Sequence, residues 1–287
     1  MGPGGDEAGD RALVLCDARG TFPEPVEDVF PEIDAHGAWP LHIHCFLLLV
    51  AGHVVLVDAG AGPPGSPAAG WSDEPGHLLD DLADAGLAPA EVTHVILTHL
   101  HIDHVGWTVG RSSTPTFPNA RHIVQEAELA HLGRRRPYET HLRPLREAGI
   151  LHAVDGAVRV LPNVDVVLTP GHTPGHQSVV AHLQKHTLLM AGDAFVHPEQ
   201  LRRPRLAYRY ESDPAAAAET RRRLLRRTAE PGTVVAPSHF PSTMLTVEGS
   251  GLGAVRVTEL ARCRHAEPTD DAVAKLRPWA VGAPTSN

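Results

Sequence analysis

The sequence predicts an α/β protein with two β-sheets flanked by helices. Three observations lead there. Short, largely apolar β-rich runs recur along the chain and end at Gly, Pro or Asp, as buried strands do. Helical stretches separate some of these runs. Two segments echo each other, Val95–His101 (VILTHLH) and Val166–His172 (VVLTPGH), each reading as strand, threonine, turn and histidine.

The strands are expected at 45–50, 54–57, 95–98, 122–125, 158–161, 164–169, 178–182, 187–190 and 233–236. Ser72 or Asp73 is expected to cap a helix running to about Ala85, with Leu78, Leu79 and Leu82 on one face. A second helix covers Gln125 to Leu132. A third is capped by Asp213, carries Pro214 in its first turn and runs to about Arg227. Its Arg221, Arg222, Arg223, Arg226 and Arg227 read as a solvated face. Arg134, Arg135, Arg136, Arg143 and Arg146 read as a solvated helical insertion. Residues 1–10 read as a disordered tail, 11–280 as a single domain and 281–287 as a flexible C-terminus.

The 287 residues are 42% hydrophobic and 21% charged, the proportions of an ordinary globular protein. A formal net charge of −9 argues against a nucleic-acid binder. Cys16, Cys45 and Cys263 form neither a zinc pattern nor a disulfide framework, which points to a reducing compartment. The apolar run Phe46–Gly52 is too short to span a membrane. Met1–Asp10 has no basic segment leading into an apolar core, and a soluble, cytoplasmic protein without a membrane partner is expected. A homodimer is left open.

Twenty histidines are the unusual feature. Four metal-capable side chains crowd into Thr98–His104 (THLHIDH): His99, His101, Asp103 and His104. At i and i+2 of an extended turn, His99 and His101 point the same way and can reach one ion. Asp103 and His104 follow where the chain turns into a helix and can reach a second. The remaining candidates each follow a strand: His172, Asp193 and His239, with Asp58 placed likewise. Side chains from different strand ends can converge on one sheet edge. Imidazole and carboxylate ligands without thiolates suit zinc, and also manganese, iron or cobalt. Two such ions about 3.5–4 Å apart can share a hydroxide and polarise a carbonyl or phosphoryl oxygen, which points to hydrolysis.

At these residues the sequence resembles the metallo-β-lactamase superfamily. The motifs are VVLVDAG (54–60), THLHIDH (98–104), TPGHTPGH (169–176), AGD (191–193) and PSHF (237–240), in the family order. The resemblance implies a four-layer αβ/βα sandwich of two mixed sheets, with two divalent metals, zinc first, at one edge. It assigns His99, His101 and His172 to one metal and Asp103, His104 and His239 to the other. Asp193 bridges them, Asp58 orients a ligand, and Asp103 also accepts a proton from the attacking water.

Within the superfamily, DHVGW (103–107), TFPNA (116–120), Asp193 with His197, and SDPAAAA (212–218) resemble quorum-quenching lactonases and methyl-parathion-hydrolase-like enzymes. The implied activity is cleavage of an ester-type bond (lactone, carboxyl ester or thioester) in a small molecule, with phosphotriester hydrolysis as the alternative. An iron-dependent redox enzyme and a non-catalytic metal-binding module are the readings from other classes. Some lactonases carry a carbonyl-polarising tyrosine three residues after the bridging aspartate. Here that position is Val196, and His197, Tyr208 or Tyr210 are the candidate substitutes. His176 reads as a supporting hydrogen-bonder, and His42 and His44 as structural. Trp107, Phe117 and Phe195 are candidate walls of an apolar pocket or members of the core. Specificity is expected in the loops 110–119, 133–156 and 196–211.

Overall fold

The computed structural model describes residues 10–72, 76–133, 138–248, 256–262 and 279–280. Six strands follow one another in the N-terminal half: β1 (Arg11–Thr21), β2 (Pro40–Val50), β3 (His53–Val57), β4 (His94–Ile96), β5 (Arg121–Gln125) and β6 (Leu151–Val154). Seven more form the C-terminal half: β7 (Val158–Leu161), β8 (Val164–Leu168), β9 (Gln177–His182), β10 (Thr187–Gly192), β11 (Thr233–Pro237), β12 (Ser242–Glu248) and β13 (Arg256–Arg262). β14 (Trp279–Ala280) returns to pair with β1. The two sheets run β14-β1-β2-β3-β4-β5-β6 and β13-β12-β11-β10-β9-β8-β7. Both are mixed: β3, β4, β5 and β6 pair in parallel, as do β10 and β11, while the other named pairings are antiparallel.

The apolar run at 45–50 shows why alternation is lost. Phe46, Leu48 and Val50 point between the sheets, where they meet Val166, Val179, Leu188, Met190 and Val234. Cys45 and Leu47 point to the other face and pack with Leu78, Leu82 and Leu145. Side chains alternate with period two, and both faces are covered. A third cluster joins the outer face of the second sheet, through Leu189 and Val235, to Leu224 and Leu225. The result is helix, sheet, sheet, helix: the four expected layers.

The α-helices among the described residues are α1 (Val26–Val29), α2 (Leu78–Asp84), α3 (Ile102–Val105), α4 (Glu126–Leu132), α5 (Arg143–Glu147), α6 (Glu199–Arg202) and α7 (Pro214–Thr228). None is long and apolar enough to cross a membrane. α7 begins as its sequence predicts: Asp213 accepts from the Ala215 and Ala216 amides at 3.0 Å, with Pro214 at the first position.

Several expectations need correction. α2 starts at Leu78, not near Ser72, because Ser72 donates to the Arg19 carbonyl and bridges Gly20 instead. Asp17, inside β1, accepts the Leu78 amide at 2.8 Å and so caps that helix from a distance. Asp10 is no part of a loose tail: it accepts from the Ala51 amide and the Asn163 side chain. Arg221 is not on the solvated face of α7. It is buried, paired with Glu211, and bonded to the carbonyls of Pro204 and Leu206. Arg143 does ion-pair with Glu139 and Glu147 on an exposed surface. Residues 1–9, Asp73, Arg134–Arg136, Cys263 and 281–287 lie outside the described residues; Cys16 and Cys45 are buried and form no disulfide among the described residues.

Candidate metal centre

The centre stands where loops leave the two sheets. From the N-terminal sheet, one turn after β4 and the short helix α3 supply His99, His101, Asp103 and His104. From the C-terminal sheet, His172 follows β8, Asp193 follows β10 and His239 follows β11. These side chains gather into two adjoining groups, His99–His101–His172–Asp193 and Asp103–His104–His239. His101 is the least enclosed.

In the first group, His101 Nδ1 lies 2.9 Å from both His99 Nε2 and His172 Nε2. Burial pulls His99 and His172 well below the usual imidazole range, and lowers His101 as well. Three neutral ring nitrogens converging this closely cannot all be satisfied by the protons they share. A divalent cation among them would accept all three lone pairs, so the donor set fits a metal. In the second group, His104 Nε2 is 3.3 Å from His239 Nε2, and Asp103 Oδ2 is 3.6 and 3.5 Å from these two nitrogens. Burial opposes charge on His104 and His239, but the carboxylates of Asp193 and Asp103 outweigh it and raise both.

Asp193 faces both groups. Its Oδ2 is 3.2 Å from His172 Nε2, and its Oδ1 is 2.9 Å from His239 Nε2 and 3.3 Å from His104 Nε2. Burial alone would raise its carboxyl. The surrounding imidazoles, His239 and His104 foremost, instead hold it well below the usual carboxylate range.

The supports are specific. Asp58 accepts from the Thr98 amide at 2.7 Å, the Thr98 hydroxyl at 2.9 Å and His104 Nδ1 at 2.8 Å, which leaves His104 Nε2 free to face the centre. Asp58 sits at φ +62°, a left-handed conformation that Asp tolerates better than most residues. His176 Nε2 accepts the Asp193 amide at 3.0 Å, and its Nδ1 lies 2.8 Å from the Thr169 hydroxyl. Burial lowers this imidazole to about 4, so it stays neutral. Gly192, at φ +55°, has no room for a side chain: a Cβ would come 2.6 Å from His176 Nε2. His239 Nδ1 donates to the His42 carbonyl at 2.7 Å, and the His44 amide donates to the Ser238 carbonyl at 3.0 Å. His42 and His44 thus act largely through the backbone of β2.

Other candidates fall outside the centre. Phe195 is fully buried in the cluster between the second sheet and α7. Phe117 is equally buried, in the core beneath the first sheet. Trp107 packs against that core, and its indole donates to Asp17 at 2.9 Å. His197 packs at a tilt against Phe30 and accepts the Glu199 amide, contacts of local structure. Val196 is buried in an apolar cluster with Phe30, Trp39 and Tyr208. Tyr208, by contrast, lies against the centre, its ring parallel to that of His172 at 5.9 Å. Burial, then the charges of Asp193 and Asp103, raise its phenol and keep it protonated. Tyr210 is exposed and bonded to Glu24.

No sequence motif marks Asp17 or Glu128. Both are buried carboxylates whose partners are mainly backbone amides of distant loops, and no spacing rule signals that.

The arrangement defines a class: two mixed sheets face to face between helices, with a histidine–aspartate centre at their common edge. The family model for the metallo-beta-lactamase superfamily matches residues 38–239, and the chain belongs to that superfamily. Among curated relatives, an N-acyl homoserine lactonase of Bacillus cereus is 29% identical over 167 residues, covering 52% of this chain and 62% of its own length. Metallo-beta-lactamase domain-containing protein 1 of Xenopus laevis is 37% identical over 142 residues, covering 49% of each chain. The chain thus matches less than two thirds of the length of either. A solved structure of the hydrolase AbOPH superposes with a TM-score of 0.74 at 21% identity, covering 90% of this chain and 96% of that one. The dizinc quorum-quenching lactonase AidC, in complex with its product, gives 0.72 at 19% identity, covering 88% and 95%. These two likenesses establish the shared fold.

Proposed function

We propose that the protein is a dinuclear metal-dependent hydrolase of an ester-type bond in a small molecule, with lactones first, then carboxyl esters and thioesters. One observation carries this reading: Asp193 turns one carboxylate oxygen to each of two adjoining groups of metal-capable side chains. His99, His101 and His172 would hold one ion and Asp103, His104 and His239 the other, with Asp193 shared. Zinc fits the donor set best; manganese, iron and cobalt also suit it. Two bound ions would supply Lewis-acid activation of a water and of the scissile carbonyl. Asp103, beside that water, would take its proton. Tyr208, buried, protonated and without a hydrogen bond to its hydroxyl among the described residues, is the donor proposed for the substrate oxygen. It would fill the role left open by Val196. The lactonase relatives put N-acyl homoserine lactones first among substrates.

The test is a hydrolysis panel on metal-reconstituted protein, spanning homoserine lactones, aryl esters, acyl thioesters and phosphotriesters. Cleavage abolished by a chelator and restored by zinc, cobalt or manganese is expected, at about two metals per chain. A protein that takes up no metal, or turns over nothing in the panel with any of them, overturns the reading.

A further inference from the structure

One buried carboxylate near the centre pairs with no cation among the described residues. Glu128, in the first turn of α4, is 2% exposed. Its oxygens accept from two loops of different sheets: Oε1 takes the Leu100 amide at 3.2 Å, and Oε2 takes the Gly175 amide at 3.0 Å. Leu100 stands between His99 and His101. Gly175 stands three residues after His172 and directly before His176, which holds the Asp193 amide. The second loop presses on the helix so closely that a Cβ at Gly175 would lie 2.1 Å from the Glu128 nitrogen. A carboxylate withdrawn from water is costly unless its oxygens are bonded, and these two amides bond both.

We propose that Glu128 is a positioning residue for the first metal group. It fixes the loop bearing His99 and His101 against the loop bearing His172, and so sets the distance between their rings. This rests on the dinuclear reading above. The chemistry calls for a carboxylate, because both partners are N–H donors. A glutamine offers one acceptor and turns its own N–H2 toward the other amide, which leaves a buried donor unpaired. An aspartate keeps the charge but loses the reach.

The experiment is a cobalt titration of metal-free wild type, Glu128→Gln, Glu128→Asp and, as a control for lost stability, Leu145→Ala. Leu145 is a buried core residue of α5 and belongs to neither metal-capable group. Wild type should show two binding steps. In both Glu128 variants one step should weaken about 10- to 100-fold, as loss of an outer partner does, while the other stays near wild type. Leu145→Ala should unfold more easily yet keep both steps. Two unaltered steps in Glu128→Gln overturn the proposal, and so does a weakening of both that Leu145→Ala reproduces. A wild type without two steps overturns the dinuclear reading instead. The bracing is then read in the metal-free protein from hydrogen exchange at the Leu100 and Gly175 amides. Exchange at least about tenfold faster at one of them in Glu128→Gln supports it, and equal rates overturn it.

Discussion

The two sheets deliver their side chains to the centre in opposite ways. The N-terminal sheet sends four from one turn, His99 to His104, so their spacing is local and needs only the end of β4. The C-terminal sheet sends three singly, from the ends of β8, β10 and β11. Asp193 and His239 stand together only because β10 and β11 pair in parallel, with Leu188 opposite Val234 and Met190 opposite Ala236. His172 depends in turn on the antiparallel register of β8 and β9. One contribution is set by a few dihedrals, and the other by the registry of a whole sheet. A centre built this way is sensitive to sheet packing on one side and to single side chains on the other.

The strongest way to break the comparison is at Asp193, the residue facing both groups. Asp193→Ala should lose both metals and hydrolysis, well beyond the 10- to 100-fold expected for an outer partner. His101→Ala should spare the metal of the second group. Metal content by elemental analysis, with the substrate panel, separates the two.

The C-terminal half should also be the costlier to disturb from within. Arg221 ties the segment bearing Tyr208 to α7 through Glu211 and two carbonyls. Arg221→Ala leaves Glu211 buried and unpaired, and should cost about 3–5 kcal/mol in urea unfolding. The exposed Arg226, paired with Glu219, should cost less than about 1 kcal/mol.

Acid probes the N-terminal sheet. Burial lowers His122, on β5, from 6.5 to about 4. Below pH 6.5 the unfolded chain takes up a proton that the folded one refuses, so stability should fall as pH drops from about 6.5 toward 4. The full loss is about 3 kcal/mol. His122→Gln should flatten that slope in denaturation midpoints; an unchanged slope would assign it to other groups.

The smallest effect sharpens the local side of the contrast. Asp58→Asn keeps a residue type that accepts φ +62° but offers one acceptor oxygen for three donors. Weaker metal binding at the His104 group, about tenfold, with little change in unfolding temperature is expected. Asp58→Ala should add about 1 kcal/mol of backbone cost, measurable by calorimetry.

The same contrast explains what was legible. THLHIDH announces itself because its side chains are neighbours in sequence. Outside the motifs of the family resemblance, His172, Asp193 and His239 are marked only as polar residues ending apolar runs. β1 is hidden in the sequence because Asp17 and Arg19 interrupt its apolar pattern, and Asp17 is there to cap α2 and hold Trp107. Helical periodicity places Arg221 on the solvated face because it cannot show that Glu211 waits beneath it. Glu128 left no trace at all: its partners are backbone amides, which every residue but proline carries. The apolar runs predicted the layers, since burial on both faces is itself a compositional signal.

The bond from His239 to the carbonyl of His42 crosses from one sheet to the other. So does the bond from the His44 amide to Ser238. Neither sheet can slide without bending this corner, and a bound cobalt ion would therefore act as an optical gauge of their alignment. Its absorption should change in any variant that shifts the inter-sheet core, long before the chain as a whole gives way.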